Sequence, residues 1–263
     1  VARRGSDNSF YRAGSFITHD PRQVDEYDMS QQPSGAGTAS SAEGQQAAAS
    51  VESAASASEP SSRDQARDVL LQTLAEIRPD LELHVDAVMT LAEGVAAQLA
   101  LPAEEVERVR FAAQLHDIGK VAIPEAILKK PGPLDDREWS LISSHTIIGE
   151  RILGAAPALA GVAELVRSSH ERWDGKGYPD RLRGEQIPVG ARIISVCDSF
   201  DAMTSNRAYR LAMTPRDAVA ELERCAGTQF DPLVVAAFVA AMQPQLAAEG
   251  GVVRDAAPRV ATS

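Results

Sequence analysis

The sequence predicts an all-α fold, a helical bundle preceded by a disordered N-terminal tail. From Asp64 onward apolar residues recur at intervals of three and four, the spacing of a helix with one buried face. Proline, glycine and N-cap residues cut that stretch into separate segments, while the residues before it lack any sustained period. At 263 residues and 44% hydrophobic content the chain is long enough for one good-sized core plus a tail.

Residues 1–62 are read as the tail, because Gln31 to Ser62 is dominated by Ala, Ser, Gly, Gln and Pro and offers too little apolar surface to offset chain entropy. The folded domain is placed at 63–258 and a frayed terminus at 259–263. Its first helix carries Val69, Leu70, Leu74 and Ile77, and the second carries Val85, Val88, Leu91 and Val95. A third covers Ala103 to Ile118, followed by a loop that includes Pro124 and ends in the Pro131-Gly132-Pro133 breaker. Asp135, with Glu138 three residues on, forms a capping box for the next helix, whose Trp139, Ile142, His145, Ile148 and Ile152 share a face. A shorter helix holds Ala163 to His170, and Asp174 to Ile187 is loop because of Gly175, Gly177, Pro179 and Gly184. Pro188 opens the following helix, where Ile193, Val196, Cys197, Phe200 and Met203 fit a 3.6-residue period better than strand alternation despite the β-branched content. Thr214-Pro215 and Asp231-Pro232 start the last two helices.

A formal charge of −11 and a pI near 5.0 argue against a nucleic-acid-polymer binder or a basic membrane-surface protein, since both need a field that attracts phosphate. The two cysteines, Cys197 and Cys225, in a chain without a secretory signal pattern point to a reducing cytoplasm, and no apolar run is long enough to cross a bilayer. The chain opens on Val1 rather than Met, which fits a fragment or an alternative start codon.

Of five histidines, His19 lies in the tail, while His84, His116, His145 and His170 fall on four successive segments of the folded part. His116 is followed by Asp117, and Asp198 is embedded among Val196 and Phe200. A lone buried histidine is usually a hydrogen-bonded core group, yet four of them with none to spare elsewhere in the domain favour convergence on one site. Buried carboxylates among apolar neighbours are costly unless a cation offsets them. Imidazole and carboxylate donors without thiolate suit iron(II), manganese(II) or similar ions, and Cys197 points about 100° around its helix from Asp198, as a small core residue would.

The stretches HDIGK at 116–120, SHERWDGKGYP at 169–179 and CDSFDAMTSNRAYR at 197–210 resemble the HD-GYP family of the HD superfamily of metal-dependent phosphohydrolases, in order and spacing, over about Asp64 to Ala240. The resemblance implies a bacterial α-helical domain that holds two or three divalent metal ions, iron or manganese, and hydrolyses cyclic di-GMP to the linear dinucleotide or GMP. By motif, His84, His116, Asp117, His145, His170 and Asp198 would be the metal ligands, with Asp117 the bridge between ions and Lys120 on the scissile phosphate. Arg207, Tyr209 and Arg210 would contact phosphate or guanine, their bland reading being a solvated helix end. The Gly177-Tyr178-Pro179 segment either packs its turn or recruits diguanylate cyclase (GGDEF) proteins. One position departs from the pattern: Ser169 stands where the family has the first of two histidines, removing a nitrogen ligand. Asp80, four residues before His84, is either a further carboxylate ligand or a helix N-cap. An active phosphodiesterase, a catalytically weak signalling module and a phosphohydrolase of another nucleotide stay open as readings.

Overall fold

In the computed structural model the described residues are 61–77, 82–206 and 211–252, without the side chains of 82–85 and 248–252. The tail expected over 1–62 and the frayed end expected over 259–263 lie almost wholly outside them, as do Asp80, Arg207, Tyr209 and Arg210.

Among the described residues ten α-helices follow in order: α1 (Ser62–Ile77), α2 (Glu82–Gln98), α3 (Ala103–Leu115), α4 (Glu125–Leu128), α5 (Asp136–Ser143), α6 (His145–Gly154), α7 (Ala160–Arg167), α8 (Val189–Thr204), α9 (Pro215–Cys225) and α10 (Pro232–Val252). No strand occurs among the described residues, only an isolated bridge between Ala226 and Phe230. No described helix is long and apolar enough to cross a membrane.

The helices form because each has an apolar face to bury. Val88, Ala92 and Val95 of α2 meet Val109, Ala112 and Leu115 of α3 and Ile193, Ile194 and Val196 of α8, all fully buried. Each large aliphatic residue so buried contributes roughly 1.5–3 kcal/mol relative to exposure. Helices α6 and α7 pack on each other, and α7 also lies against α3. On the other side α10 covers α2 and α8, with the Phe200 and Phe238 rings 4.8 Å apart. The starts expected at Asp135 and Thr214 are as anticipated: Asp135 accepts from the Glu138 amide while Glu138 answers with its own carboxylate, and Thr214 accepts from the Asp217 amide.

Several boundaries differ from the sequence-based expectation, and three of the differences concern the site. The helix expected to run through Ile118 ends at Leu115, and Ile118–Ala122 forms a separate 3₁₀ turn beginning at Asp117. The single helix expected from Asp135 to Ile152 is two, because Ser144 (φ −71°, ψ −12°) tightens into an i→i−3 hydrogen bond and its hydroxyl also donates to the Leu141 carbonyl at 2.6 Å. The helix expected to hold His170 stops at Arg167, leaving His170 in the turn beyond it. A one-turn helix, α4, follows Pro124 where loop was expected.

Candidate metal centre

The site is assembled at helix ends. His116 is the C-cap of α3, Asp117 opens the 3₁₀ turn, His145 is the first residue of α6, and His170 lies just past α7; only Asp198 comes from mid-helix, in α8. Chain ends approach more closely than helix flanks can, and Gly119 is the reason the first two meet the third. A Cβ added at Gly119 would overlap the His145 carbonyl oxygen and lie 2.7 Å from the Gly149 amide nitrogen, so only glycine lets the 3₁₀ turn seat on α6.

One donor atom each from Asp117, His145 and His170 lies within 4.8 Å of the others, and all three residues are buried. Asp117 presents its oxygens in different directions: Oδ1 is 3.5 Å from His145 Nε2, while Oδ2 is 3.7 Å from His116 Nε2 and 2.5 Å from Lys120 Nζ. His116 Nε2 is also 3.9 Å from Asp198 Oδ1, which joins a second carboxylate to the edge of the cluster. Five expected residues therefore converge with Lys120. The backbone of His84 lies in α2, but its side chain is outside the described residues.

The imidazoles are oriented from behind. His145 Nδ1 lies 2.7 Å from the Ile142 carbonyl and His116 Nδ1 lies 2.8 Å from the Ala113 carbonyl. An Nδ1–H donated to a carbonyl fixes the tautomer that leaves a lone pair on Nε2, toward Asp117. Burial holds both His145 and His170 neutral, lowering His145 to about 3 and His170 to about 4; Lys120 adds to this in both, and the carboxylates oppose it. The Nε2 atoms of His145 and His170 are buried without a hydrogen bond. Buried polar atoms are nearly always satisfied, and leaving one bare costs about 1–3 kcal/mol. Two buried ring nitrogens without partners beside a buried carboxylate fit a divalent cation, in the N/O set expected.

Tyr178 closes one side. Its ring stacks on His170 at 5.3 Å and 20°, reaches His145 at 6.4 Å, and meets Trp139 of α5 edge-on at 5.9 Å and 81°. The loop carrying it folds back because Gly177 passes over Glu171: an added Cβ would stand 2.5 Å from Glu171 Cα. Glu171, buried, accepts from the Asp180 amide at 2.6 Å and so clasps the two ends of the loop, and burial raises its carboxyl above the usual range. Sequence reasoning left Tyr178 between turn packing and a contact surface, and passed over Glu171 altogether; the glutamate inside the SHERWDGKGYP stretch was the available signal. Ser169 is buried, and its hydroxyl donates to the Val166 carbonyl at 2.9 Å. Cys197 is a buried thiol whose burial pushes its pKa well up, as befits a core residue.

Four similarities to known proteins bear on this cluster. The HD domain family model matches residues 52–234. Over 174 residues, 65% of this chain and 47% of the relative, the sequence is 41% identical to a cyclic di-GMP phosphodiesterase of Thermotoga maritima. Over 154 residues, 58% of this chain and 30% of the relative, it is 40% identical to 3'3'-cGAMP-specific phosphodiesterase 2 of Vibrio cholerae. The chain thus spans under half the length of these curated relatives. Among solved structures, a cyclic GMP-AMP-specific phosphodiesterase of Vibrio cholerae superposes with a TM-score of 0.53 at 18% identity, over 72% of this chain and 50% of that one, a likeness of fold.

Proposed function

The chain belongs to the HD domain family, of HD-GYP type, and from that premise we propose that it is a metal-dependent phosphodiesterase of bacterial second-messenger signalling, with cyclic di-GMP as substrate and the linear dinucleotide or GMP as product. The observation that carries the reading is the pair of buried, neutral imidazoles of His145 and His170, their Nε2 atoms bare beside the Asp117 carboxylate.

His84, His116, Asp117, His145, His170 and Asp198 are the proposed ligands of two divalent ions, iron or manganese, in keeping with a nitrogen and oxygen set from which thiolate is absent. Two ions are favoured over three because Ser169, whose hydroxyl donates to the Val166 carbonyl, offers only a neutral oxygen where the family has an imidazole. When bound, the ions supply Lewis-acid polarisation of the phosphoryl group and a water acidic enough to attack at neutral pH. The protein's part is positional and electrostatic. Asp117, with one oxygen toward His145 and the other toward His116, would offer the bound ions a carboxylate oxygen on either side. Lys120, 2.5 Å from Asp117 Oδ2 and 11% exposed, holds a positive charge where the phosphoryl oxygens gain negative charge. The backbone carbonyls of Ala113 and Ile142 keep two imidazoles aimed inward. Arg207, Tyr209 and Arg210, outside the described residues, remain proposed contacts to phosphate or guanine. The fold belongs in the cytoplasm on this reading, where Cys197 and Cys225 stay reduced. For a GGDEF partner the Gly177-Tyr178-Pro179 segment is the proposed contact, with the exposed Lys176 beside it and one face of the Tyr178 ring turned onto His170.

The relative specific for 3'3'-cGAMP favours a second substrate, which differs from cyclic di-GMP in one base and uses the same phosphate chemistry. A panel of cyclic di-GMP, 3'3'-cGAMP and cyclic di-AMP, assayed with anaerobically purified protein, separates them. The expected result is hydrolysis of cyclic di-GMP that EDTA abolishes and added manganese or iron(II) restores, with 3'3'-cGAMP slower. Preference for 3'3'-cGAMP would replace the substrate. Metal-loaded protein that hydrolyses none of the three would turn the reading into a signalling module.

A further inference from the structure

Trp139 is an expensive residue to leave half-exposed on a short surface helix. It shares one face of the α5 to α6 segment with Ile142, which is buried, and with His145, whose Nε2 points at Asp117. That places the indole on the side of the helices that faces the metal centre. Its edge-on contact with Tyr178, itself stacked on His170, makes a continuous aromatic wall from the ligand rings outward, with Trp139 at the outer end. The other tryptophan, Trp173, has a different employment: the Arg192 guanidinium lies 5.7 Å from its ring centroid, and its backbone amide is bonded to the Gln229 carbonyl.

A dinucleotide phosphodiester carries each base one ribose away from phosphorus. A platform for a base therefore has to stand just outside the ligand cluster, beside it but not within it. Bases stack on aromatic side chains with a gain that depends little on base identity. Tyr178 has one face committed to His170, so among the aromatic rings at this wall Trp139 is the one placed at the outer rim.

We propose that Trp139 is the stacking platform for one base of the nucleotide substrate, with Tyr178 as the spacer that sets its distance from the metal centre. The proposal rests on the phosphodiesterase reading for its ligand class, and its test is separable from catalysis. GMP carries a base and a phosphate without a scissile diester; ribose 5-phosphate carries the phosphate alone. In manganese-loaded protein, Trp139→Ala is expected to weaken GMP binding about tenfold, the scale of one lost base-stacking contact, and to leave ribose 5-phosphate unchanged. Trp139→Phe is expected to recover most of the affinity. For cyclic di-GMP the alanine variant should raise KM by the same factor with kcat within about twofold and with metal content unaltered. This pattern in GMP supports the platform even if no cyclic dinucleotide is hydrolysed. Equal losses for GMP and ribose 5-phosphate, no loss for either, absence of GMP binding by the native protein, or a fall in kcat and metal content with GMP affinity intact would overturn it, leaving Trp139 as a wedge behind Tyr178.

Discussion

Replacing Asp117 by asparagine is expected to lower the phosphodiesterase rate by a factor on the order of 10³ or more while leaving the metal-free fold in place. The substitution keeps the shape and removes only the charge that faces His145, His116 and Lys120 at once. Loss of one preorganised electrostatic partner at a reacting phosphoryl group costs about 10²–10³ in rate. Here the same change also weakens the ligand set for both proposed ions, so the upper end applies. The effect on the metal-free fold is small because two contributions oppose each other. The Lys120 ammonium loses its 2.5 Å partner, and a carboxylate only 3% exposed no longer has to be held charged away from water. Rate, bound metal and the unfolding midpoint of chelated protein measured together check this. A rate within tenfold of native at full metal occupancy would remove Asp117 from the centre of the mechanism.

Gly119→Ala is expected to give the largest loss of stability of any single methyl addition at a glycine of the site. The new Cβ would occupy the position of the His145 carbonyl oxygen and crowd the Gly149 amide nitrogen at 2.7 Å. Those are backbone atoms of α6, which cannot swing aside as a side-chain tip can. Overpacking of this kind costs about 3 kcal/mol or more, and for a domain of this size the melting temperature should fall by roughly 6 °C or more. The function should fail with it, because the same contact sets the spacing between Asp117 and His145. Gly132→Ala is the control, since nothing lies within 4 Å of its added Cβ. Thermal unfolding of the two variants side by side checks the claim. Equal melting temperatures would mean that the turn and α6 are not in the tight contact described.

The fold was legible in the sequence wherever a single periodicity decided the matter. The stripes on α2 and α8 predicted the helices and their buried faces, and Val88, Val95 and Val196 are indeed fully buried. The convergence of Asp117, His145 and His170 was legible for a different reason, since histidines spread over successive segments with an adjacent His116-Asp117 are hard to accommodate except by convergence. What periodicity could not carry was how the site is closed. Ser144 breaks a helix without disturbing its stripe, because Trp139 and Ile142 before it and His145 after it keep the same face. The 3₁₀ turn at Ile118 depends on how closely α6 approaches Gly119, a contact between segments far apart in sequence. Tyr178 reached His170 for a similar reason: Gly177 permits the chain reversal, but only tertiary packing decides which ring the tyrosine meets.

The central claim is that Asp117, His145 and His170 hold metal, and anomalous X-ray scattering from crystals of protein loaded with manganese or iron tests it most directly. The account predicts peaks within ligand distance of His145 Nε2, His170 Nε2 and the Asp117 carboxylate, two per chain, and their loss in Asp117→Asn. Crystals of loaded protein with no peak at these three residues, or with the only metal elsewhere on the chain, would contradict it.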